Sequence, residues 1–194
     1  MSHDSLDDLL KNVRACRVCE PRLPLGPRPV LRASHSARIL IIGQAPGTKV
    51  HQSGIPWNDP SGDRLRDWMQ LDRGRFYDES EIAIIPMGFC YPGKGKSGDL
   101  PPRPECATLW HERLFAELPN LQLRLLVGKY AQDYYLGSRR QSLTRTVQHW
   151  QDYLPDYFPL PHPSPRNLRW FRLNPWFEST VIPSLRAQLN NIYQ

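Results

Sequence analysis

The segment Arg38-Ile39-Leu40-Ile41-Ile42 is a short apolar run, mostly of β-branched residues, that ends at Gly43. A continuous apolar run of this length is typical of a strand buried on both faces of a parallel sheet, because no side of such a strand meets solvent. Three similar runs follow at Ile82–Ile85, Leu123–Val127 and Tyr157–Leu160. The sequence therefore predicts a central sheet of four parallel strands.

Apolar residues at helical spacing precede the first predicted strand and separate or follow the others. The predicted helices cover Leu6–Val13, Gly62–Met69, Glu105–Leu118, Tyr130–Leu136 and Thr180–Leu189. Strands that alternate with helices favour an α/β fold with helices on both faces of the sheet. We therefore expect a three-layer sandwich, built as a single domain over residues 1–194.

Functional residues in a parallel sheet are expected beyond the carboxyl ends of its strands. The segments that follow the four predicted strands are GQAPG at 43–47, GFC at 88–90, GKY at 128–130 and HPSPRN at 162–167. Because these ends meet at one edge of the sheet, the sequence predicts that these segments form one site.

The charge of the chain is positive and uneven. The net charge is +6, and residues 120–194 carry nine Lys and Arg against four Asp and Glu. A basic surface of this kind suits a polyanion such as DNA, although many basic proteins bind no nucleic acid. No apolar run approaches the ~18 residues that span a bilayer, so we expect a soluble cytoplasmic monomer without a membrane partner.

The cysteines form a C-x2-C pair, Cys16 and Cys19, and a widely spaced pair, Cys90 and Cys106. In an intracellular chain this pattern favours metal ligation over disulfides. Four thiolates suit either tetrahedral zinc or an iron-sulfur cluster. The wide second pair, in a loop rich in Pro and Gly, favours a cluster, while zinc or free buried thiols remain alternatives.

Four segments in order resemble the iron-sulfur-containing family-four uracil-DNA glycosylases. They are CRVC at 16–19, GQAPGTKVHQSGIPW at 43–57, the loop between Cys90 and Cys106, and HPSP at 162–165. The resemblance implies a uracil-DNA glycosylase-like fold and a 4Fe-4S cluster on the four cysteines. HPSPRN is also similar to the corresponding motif of the single-strand-selective uracil glycosylases.

The resemblance also implies roles for residues of these motifs. Trp57 stacks on a flipped base, and His162 donates a hydrogen bond to the departing base. The other implied base-binding positions are Gln44, Ala45, Pro46, Gly47 and Pro86. The expected DNA contacts are Ser164, Pro165, Arg166 and Asn167, and either Arg166 or Leu168 enters the gap that the flipped base leaves in the stack.

The chain departs from the family pattern at functional positions. Gln44 replaces a Glu, residues 48–51 replace an acidic run, and Pro86 replaces the Asn that reads uracil. A proline side chain makes no hydrogen bonds to a base, so uracil specificity does not follow. His51 and Asp59 are the nearest candidates to activate water, although Asp59 is equally suited to cap a helix.

Three hypotheses follow. The leading one is a monofunctional DNA glycosylase that hydrolyses the N-glycosidic bond of a flipped deaminated or damaged base, uracil or another, in base excision repair. The second is a non-catalytic or weakly catalytic iron-sulfur protein that binds DNA at damaged bases. The third is a zinc-stabilised α/β protein with an unrelated small-molecule pocket.

Overall fold

The computed structural model describes residues 5–96, 98–137 and 141–194. Its sheet contains four parallel strands in the spatial order β2-β1-β3-β4. The strands are β1 (Ile39–Ile42), β2 (Ile82–Ile84), β3 (Leu123–Val127) and β4 (Tyr157–Leu160). The predicted parallel sheet is confirmed, and each strand lies within one residue of its expected bounds.

Helices surround this sheet. They are α1 (Leu6–Arg14), α2 (Thr48–Ser53), α3 (Pro60–Met69), α4 (Arg73–Phe76), α5 (Pro104–Cys106), α6 (Glu112–Ala116), α7 (Lys129–Tyr135), α8 (Leu143–Gln148), α9 (Leu168–Leu173) and α10 (Ile182–Tyr193). A π-helical turn joins α5 to α6 over Ala107–His111, and another, Phe177–Val181, leads into α10. In the described part of the chain, no helix has the length and hydropathy needed to cross a membrane.

The helices cover both faces of the sheet because the side chains of each strand alternate between two apolar cores. Ile39 and Ile41 of β1 pack in the core that holds α3 and α10. Leu40 and Ile42, on the opposite face, pack in the core that holds α1, α6 and Ala131 of α7. The strands are thus buried on both sides, and the predicted three-layer α/β architecture is confirmed.

The first helix brings the N-terminal cysteine pair to the body of the fold. Its N-cap is Ser5, whose hydroxyl accepts a hydrogen bond from the Asp8 amide. The apolar side of α1 is buried at Leu6, Leu9, Leu10 and Val13. Because this side is anchored in the core, the chain leaves α1 directly in front of Cys16.

The strand order sets where a ligand can bind. After β1 the chain continues to β2 on one side, whereas after β3 it continues to β4 on the other. The loops that follow β1 and β3 therefore diverge and leave a crevice between them. Gly43 begins the loop after β1, Gly128 begins the loop after β3, and His162 follows β4 close to Gly128.

Candidate active site

A cavity of about 50 Å³ lies beyond the carboxyl ends of the strands. It brings together residues that are widely separated in sequence and that the motif analysis predicted as site residues. These are Gln44, Ala45, Pro46, Gly47, Trp57, Asp59, Pro86 and His162. The remaining wall is largely apolar and comes from Val30, Val50, Pro56 and Ile84, with Gly43 beside Trp57.

A wider groove of about 630 Å³ adjoins the cavity. Gln44, Ala45, Gly47, Asp59 and His162 line both spaces. The groove is completed by Thr48, Lys49, Pro60, Ser61, Gly98, Asp99, Tyr130, Ser164, Pro165, Arg166 and Asn167. An extended polymer lying in the groove would therefore present one of its units to the cavity.

The surroundings of His162 determine which of its ring nitrogens carries the proton. The backbone amide of Ser164 donates a hydrogen bond to its Nδ1 over 3.2 Å. A ring nitrogen that accepts a hydrogen bond carries no proton, so the neutral ring holds its proton on Nε2. Burial lowers the pKa of His162, while the charge of Asp59 opposes this shift. The ring is therefore neutral near pH 7 and has one N–H to donate.

The HPSPRN loop is held by hydrogen bonds to its backbone. Asn167 Nδ2 donates to the His162 carbonyl over 2.8 Å, and Arg64 Nη1 lies 3.4 Å from the carbonyl oxygens of Pro163 and Ser164. The amide of Asn167 thus stabilises the loop, while Arg166 reaches across the groove. A Cβ added to Gly98 would lie 2.7 Å from Arg166 Nη1.

The indole of Trp57 forms part of the cavity wall. Its ring centroid lies 5.6 Å from that of His162, and a Cβ added to Gly43 would lie 2.7 Å from Trp57 Cζ2. Glycine at position 43 therefore leaves the space that the indole occupies. Trp57 has a φ of 57°, a left-handed conformation that costs a residue with a side chain about 1–3 kcal/mol.

Residues that the sequence analysis missed hold Trp57 in this conformation. A Cβ added to Gly62 would lie 1.7 Å from the Trp57 carbonyl oxygen, so only glycine fits there. Arg66, which is buried, donates from Nη1 to the same oxygen over 3.2 Å. Tyr77 donates to the Pro56 carbonyl over 2.9 Å. The strained position is thus determined by contacts on both sides.

Asp59 caps a helix and also borders the site. It is the N-cap of α3, and its Oδ1 accepts a hydrogen bond from the Gly62 amide over 2.8 Å. The same residue lines both the cavity and the groove. One carboxylate oxygen is therefore committed to the helix while the residue borders the site.

His51 is not among the described residues that line the cavity or the groove. Its ring centroid is 6.3 Å from that of Tyr91. Burial lowers the pKa of His51, and the charge of Arg28 lowers it further. That His51 activates water stays a prediction, which its absence from both linings does not favour.

Pro86 is supported from behind by a buried histidine. Its carbonyl oxygen accepts a hydrogen bond from His111 Nε2 over 3.0 Å, and Tyr135 donates its hydroxyl proton to His111 Nδ1. His111 is only 2% exposed, and burial lowers its pKa to about 4. The position that lacks a base-reading side chain is therefore held rigidly by a neutral imidazole.

The side chain of Gln44 hydrogen bonds to a neighbouring loop and stabilises it. Its Nε2 donates to the Leu100 carbonyl over 3.3 Å. Its backbone carbonyl accepts from the Gly88 amide, and the Gly43 carbonyl accepts from the Met87 amide, both over 2.9 Å. The loop after β1 is thus tied to the segment after β2, and these two carbonyl oxygens already have partners.

The site contains a carboxylate that the motifs did not indicate. Asp99 lies on the groove, and a Cβ added to Gly47 would lie 3.5 Å from its Oδ2. Partial burial of the carboxyl raises its pKa; Arg166 and Lys94 oppose this shift, and Asp59 adds to it. In the sequence, Asp99 lies in the loop between two cysteines and belongs to no motif. Its carboxylate was the only signal that could have indicated a functional role.

The four cysteines, all in the described part of the chain, form no disulfide and lie close enough to influence one another. Cys19, Cys90 and Cys106 are buried, and Cys16 is partly exposed. Burial raises the pKa of the Cys90 thiol to about 11 and that of Cys106 to about 12. The Phe89 amide donates to Cys106 Sγ over 3.4 Å.

These features fit a group that binds four thiolates and accepts hydrogen bonds at sulfur. Three of the four thiols are buried, and none of the four is in a disulfide. Among the described residues, no three His, Cys, Asp or Glu side chains are placed to hold a single metal ion.

The fold and site define a parallel α/β protein whose cavity opens on a groove at the ends of its strands. The model of the Uracil DNA glycosylase superfamily matches residues 32–186, which is most of the chain. The protein belongs to the uracil-DNA glycosylase superfamily. The matched range includes GQAPG, Cys90, Cys106 and HPSPRN, while Cys16 and Cys19 precede it.

This match confirms, at the level of the superfamily, the family membership that the motifs indicated. Membership indicates a DNA glycosylase, a hydrolase of N-glycosyl bonds in base excision repair, with DNA as its substrate. Assignment to family four, the base that is removed and the cluster stay predictions.

Proposed function

We propose that this protein is a monofunctional DNA glycosylase that excises a flipped single-ring base. The observation that carries the proposal is the cavity in which the Nε2–H of His162, the indole of Trp57 and the GQAPG loop meet. An enzyme that acts on a base in DNA must take the base out of the stack and hold it in such a pocket. The adjoining groove suits the strand on either side of that base.

The chemistry that we propose uses two groups of donors. Breaking the glycosidic bond leaves negative charge on the base, and His162 Nε2–H donates a hydrogen bond to the oxygen that receives it. A neutral donor fixed before the reaction stabilises this charge without reorganisation, and one such donor is typically worth roughly 3 kcal/mol of barrier. The backbone N–H groups of Gln44, Ala45 and Gly47 are the second group, since Pro46 has no N–H. Trp57 stacks on the base, which contributes about 1–3 kcal/mol.

The cavity also supports a substrate class. At about 50 Å³ it holds only a few water molecules, which favours a pyrimidine over a two-ring purine. Pro86 offers no side-chain hydrogen bond, and the Gly43 and Gln44 carbonyls already have partners. An apolar pocket discriminates poorly between bases that differ by a small substituent, by roughly 10–200-fold. We therefore propose a tolerant pyrimidine glycosylase rather than a strictly uracil-specific enzyme.

The test is base release from labelled oligonucleotides, single-stranded and duplex, that carry uracil, 5-hydroxymethyluracil, hypoxanthine, xanthine or an alkylated purine. Alkaline cleavage reports the abasic product. We expect release of the pyrimidines and loss of at least about 100-fold in rate in His162→Ala. The matched control is His149→Ala, which removes an exposed histidine whose Nδ1 contacts the Arg145 carbonyl within the same helical region. No base release from any substrate would refute the proposal.

Monofunctional action has a separate test, because Lys49 lines the groove. A bifunctional enzyme forms a Schiff base between an amine and the sugar, and borohydride traps this intermediate as a covalent adduct. We expect no trapped adduct during base release. An adduct that disappears in Lys49→Gln would show a bifunctional enzyme instead.

A second candidate is a protein that binds damaged bases without cleaving them. The departures from the family pattern favour it, because residue 44 lacks the carboxylate and Pro86 lacks a side chain that could hydrogen bond to a base. This function requires salt-sensitive DNA binding that weakens in Trp57→Ala, with no turnover in the panel. Base release that depends on His162 would exclude it.

We further propose that Cys16, Cys19, Cys90 and Cys106 hold a 4Fe-4S cluster. Such a cluster joins the segment after α1 to the loop that borders the groove, so its contribution is structural. Protein purified without oxygen should be brown and contain iron and sulfide in equal amounts. Cys106→Ser should lose both, with Ser61→Ala as a control that leaves the cysteines intact. Zinc without iron in the purified protein would contradict this assignment.

A further inference from the structure

We propose that Asp99 is the catalytic base that activates the attacking water, and that Gln44 positions it. This inference rests on the proposed glycosylase function and names the group that the motifs of this chain lack. The family pattern places a carboxylate at residue 44, where this chain has an amide. The inference is that the carboxylate comes instead from the loop between Cys90 and Cys106.

The position of Asp99 fits this role. Its carboxylate lies against the backbone of Gly47, the last residue of GQAPG. It lines the same groove as His162 and Gln44, directly outside the cavity. A base held in the cavity leaves its sugar at the cavity mouth, so water between Asp99 and the sugar can reach the face of C1′ opposite the departing base.

The loop that carries Asp99 has a defined shape. The Leu100 amide donates to the Gly93 carbonyl over 2.8 Å, and the Gly95 amide donates to the Gly98 carbonyl over 2.6 Å. Lys94 and Asp99 form an antiparallel bridge. The described part of this loop is therefore a small hairpin with Asp99 on its returning side.

Gln44 attaches this hairpin to the loop after β1. Its Nε2 donates to the carbonyl oxygen of Leu100, the residue next to Asp99. A glutamate at this position has no proton to donate at neutral pH and would repel that oxygen. The amide of Gln44 therefore holds the residue next to Asp99. Because residue 44 is not an acid, it can hold another acid, Asp99, near the site.

The alternative base, Asp59, is less free to act. Its Oδ1 accepts the Gly62 amide at the start of α3, which orients the carboxylate toward the helix. Partial burial raises the pKa of Asp99, the negative charge of Asp59 raises it further, and the charges of Arg166 and Lys94 oppose this shift. A raised pKa makes a carboxylate a better proton acceptor, because general bases work best when their pKa approaches the working pH.

The proposed step conserves atoms and charge. The water oxygen forms a bond to C1′ while the C1′–N bond breaks and its electron pair leaves with the base. The Asp99 carboxylate takes one proton from this water, and His162 Nε2–H stabilises the base anion by a hydrogen bond. Asp99 then releases the proton to solvent, and the base anion takes up a proton from solvent.

The main experiment measures single-turnover release of uracil from a single-stranded oligonucleotide by the holoprotein. We expect Asp99→Asn to lower the rate by at least about 100-fold, within the range known for a general base. Its affinity for the oligonucleotide should stay unchanged or rise, because a negative charge leaves the groove. Asp152→Asn, the same change at an exposed residue outside the described groove lining, should keep the wild-type rate.

A pH profile separates catalysis from a structural role. The wild-type rate should rise with pH as Asp99 loses its proton, with a midpoint above the ordinary aspartate value of 3.8, since the pKa of Asp99 is raised. In Asp99→Asn this rise should be absent from the residual rate, and Asp99→Glu should restore part of it. The same pH-dependent rise in Asp99→Asn would overturn the assignment.

Gln44 has its own test. Gln44→Leu should slow the reaction by releasing the hairpin, and the double variant with Asp99→Asn should be no slower than Asp99→Asn alone. Effects that simply add would show that Gln44 does not act through Asp99.

The outcomes distinguish the two levels of proposal. If the wild-type protein releases no base from any substrate, the proposed function fails and the role of Asp99 fails with it. If the wild-type protein is active and Asp99→Asn retains its rate within about threefold, only the Asp99 assignment is overturned. Loss of activity in Asp59→Asn under those conditions would identify Asp59 as the base.

Discussion

At the scale of single residues, the chemistry of this site depends on which atoms are already hydrogen bonded. The Ser164 amide occupies Nδ1 of His162, so Nε2 carries the proton. Gln44 uses its side-chain amide on Leu100, and Asp59 uses one oxygen on Gly62. Fewer polar atoms are therefore free to hydrogen bond to a substrate than the number of polar lining residues indicates. Whether a free atom donates or accepts is determined by the hydrogen bonds that its side chain already makes.

The protonation state of His162 gives a prediction for NMR. Because burial lowers its pKa and Ser164 donates to Nδ1, the ring should be the neutral Nε2–H form at pH 7. Nitrogen-15 shifts should identify that tautomer, and the titration midpoint should lie below the ordinary value of 6.5. Ser164→Pro removes the amide donor and should allow the other tautomer. A midpoint at or above 6.5 in the wild-type protein would contradict this view.

His111 gives a prediction for stability against pH. Its folded pKa of about 4 lies below its ordinary value of 6.5, so the unfolded chain binds a proton first as pH falls. Stability that His111 provides at neutral pH is therefore lost below pH 6.5, by about 2 kcal/mol at about pH 5. The neutral variant His111→Gln should unfold more easily at pH 7, but this difference should shrink by that amount at about pH 5. A constant difference in urea unfolding would contradict the assignment.

At the scale of elements, the start of α3 determines the cavity wall. Asp59 caps the helix, Gly62 leaves room for the Trp57 carbonyl, and Arg66, one turn later, donates to that carbonyl. The helix N-terminus thus supports the strained backbone of the residue that precedes it by three positions. The same short segment explains why a tryptophan with positive φ is stable here.

Gly62→Ala tests this dependence. The added methyl group would lie 1.7 Å from the Trp57 carbonyl oxygen, so the backbone must move. We expect a loss of about 2 kcal/mol or more, which corresponds to a thermal midpoint lower by roughly 4–8 °C, together with a large loss of base release. Gly74→Ala in the exposed helix α4 is the matched control and should shift the midpoint by less than about 2 °C. Equal behaviour of both variants would contradict the proposed packing.

At the scale of the whole molecule, the excess of basic residues in the C-terminal part lies partly on the groove. Arg166 lines it, and Arg169 and Arg172 are exposed on the helix that follows. Arg139 and Arg140, which contribute to the same excess in the sequence, lie outside the described residues. A basic groove wall beside the cavity is the distribution that a phosphate backbone requires.

Salt dependence of DNA binding tests the role of Arg166. Removal of one phosphate contact lowers the slope of log affinity against log salt concentration by about 0.7 for single strands and about 0.9 for duplex DNA. Arg166→Gln should show this change, measured by fluorescence anisotropy with a labelled oligonucleotide. Lys11→Gln on α1 removes an equally basic charge from an exposed ion pair and should leave the slope unchanged. An unchanged slope in Arg166→Gln would exclude the contact.

Much of this architecture was predictable from local patterns. The run at Arg38–Ile42 and its three counterparts predicted the parallel sheet correctly, since a strand buried on both faces must be continuously apolar. Helices α2, α4, α8 and α9 were not predicted, because elements of four to six residues carry too few apolar positions to show a period. The segment 105–118 was predicted as one helix, but a π-helical turn interrupts it.

The amino-acid sequence by itself determined the sheet, the edge at which the site forms and most of the residues that meet there, because strand ends and their loops follow from local apolar pattern. Only the tertiary structure showed that Asp99 lies on the groove together with Asp59, and which nitrogen of His162 carries a proton. The partners concerned, such as Gln44 with Leu100 or His111 with Pro86, are far apart in the chain. Their pairing depends on the packing of whole elements, which no local pattern records.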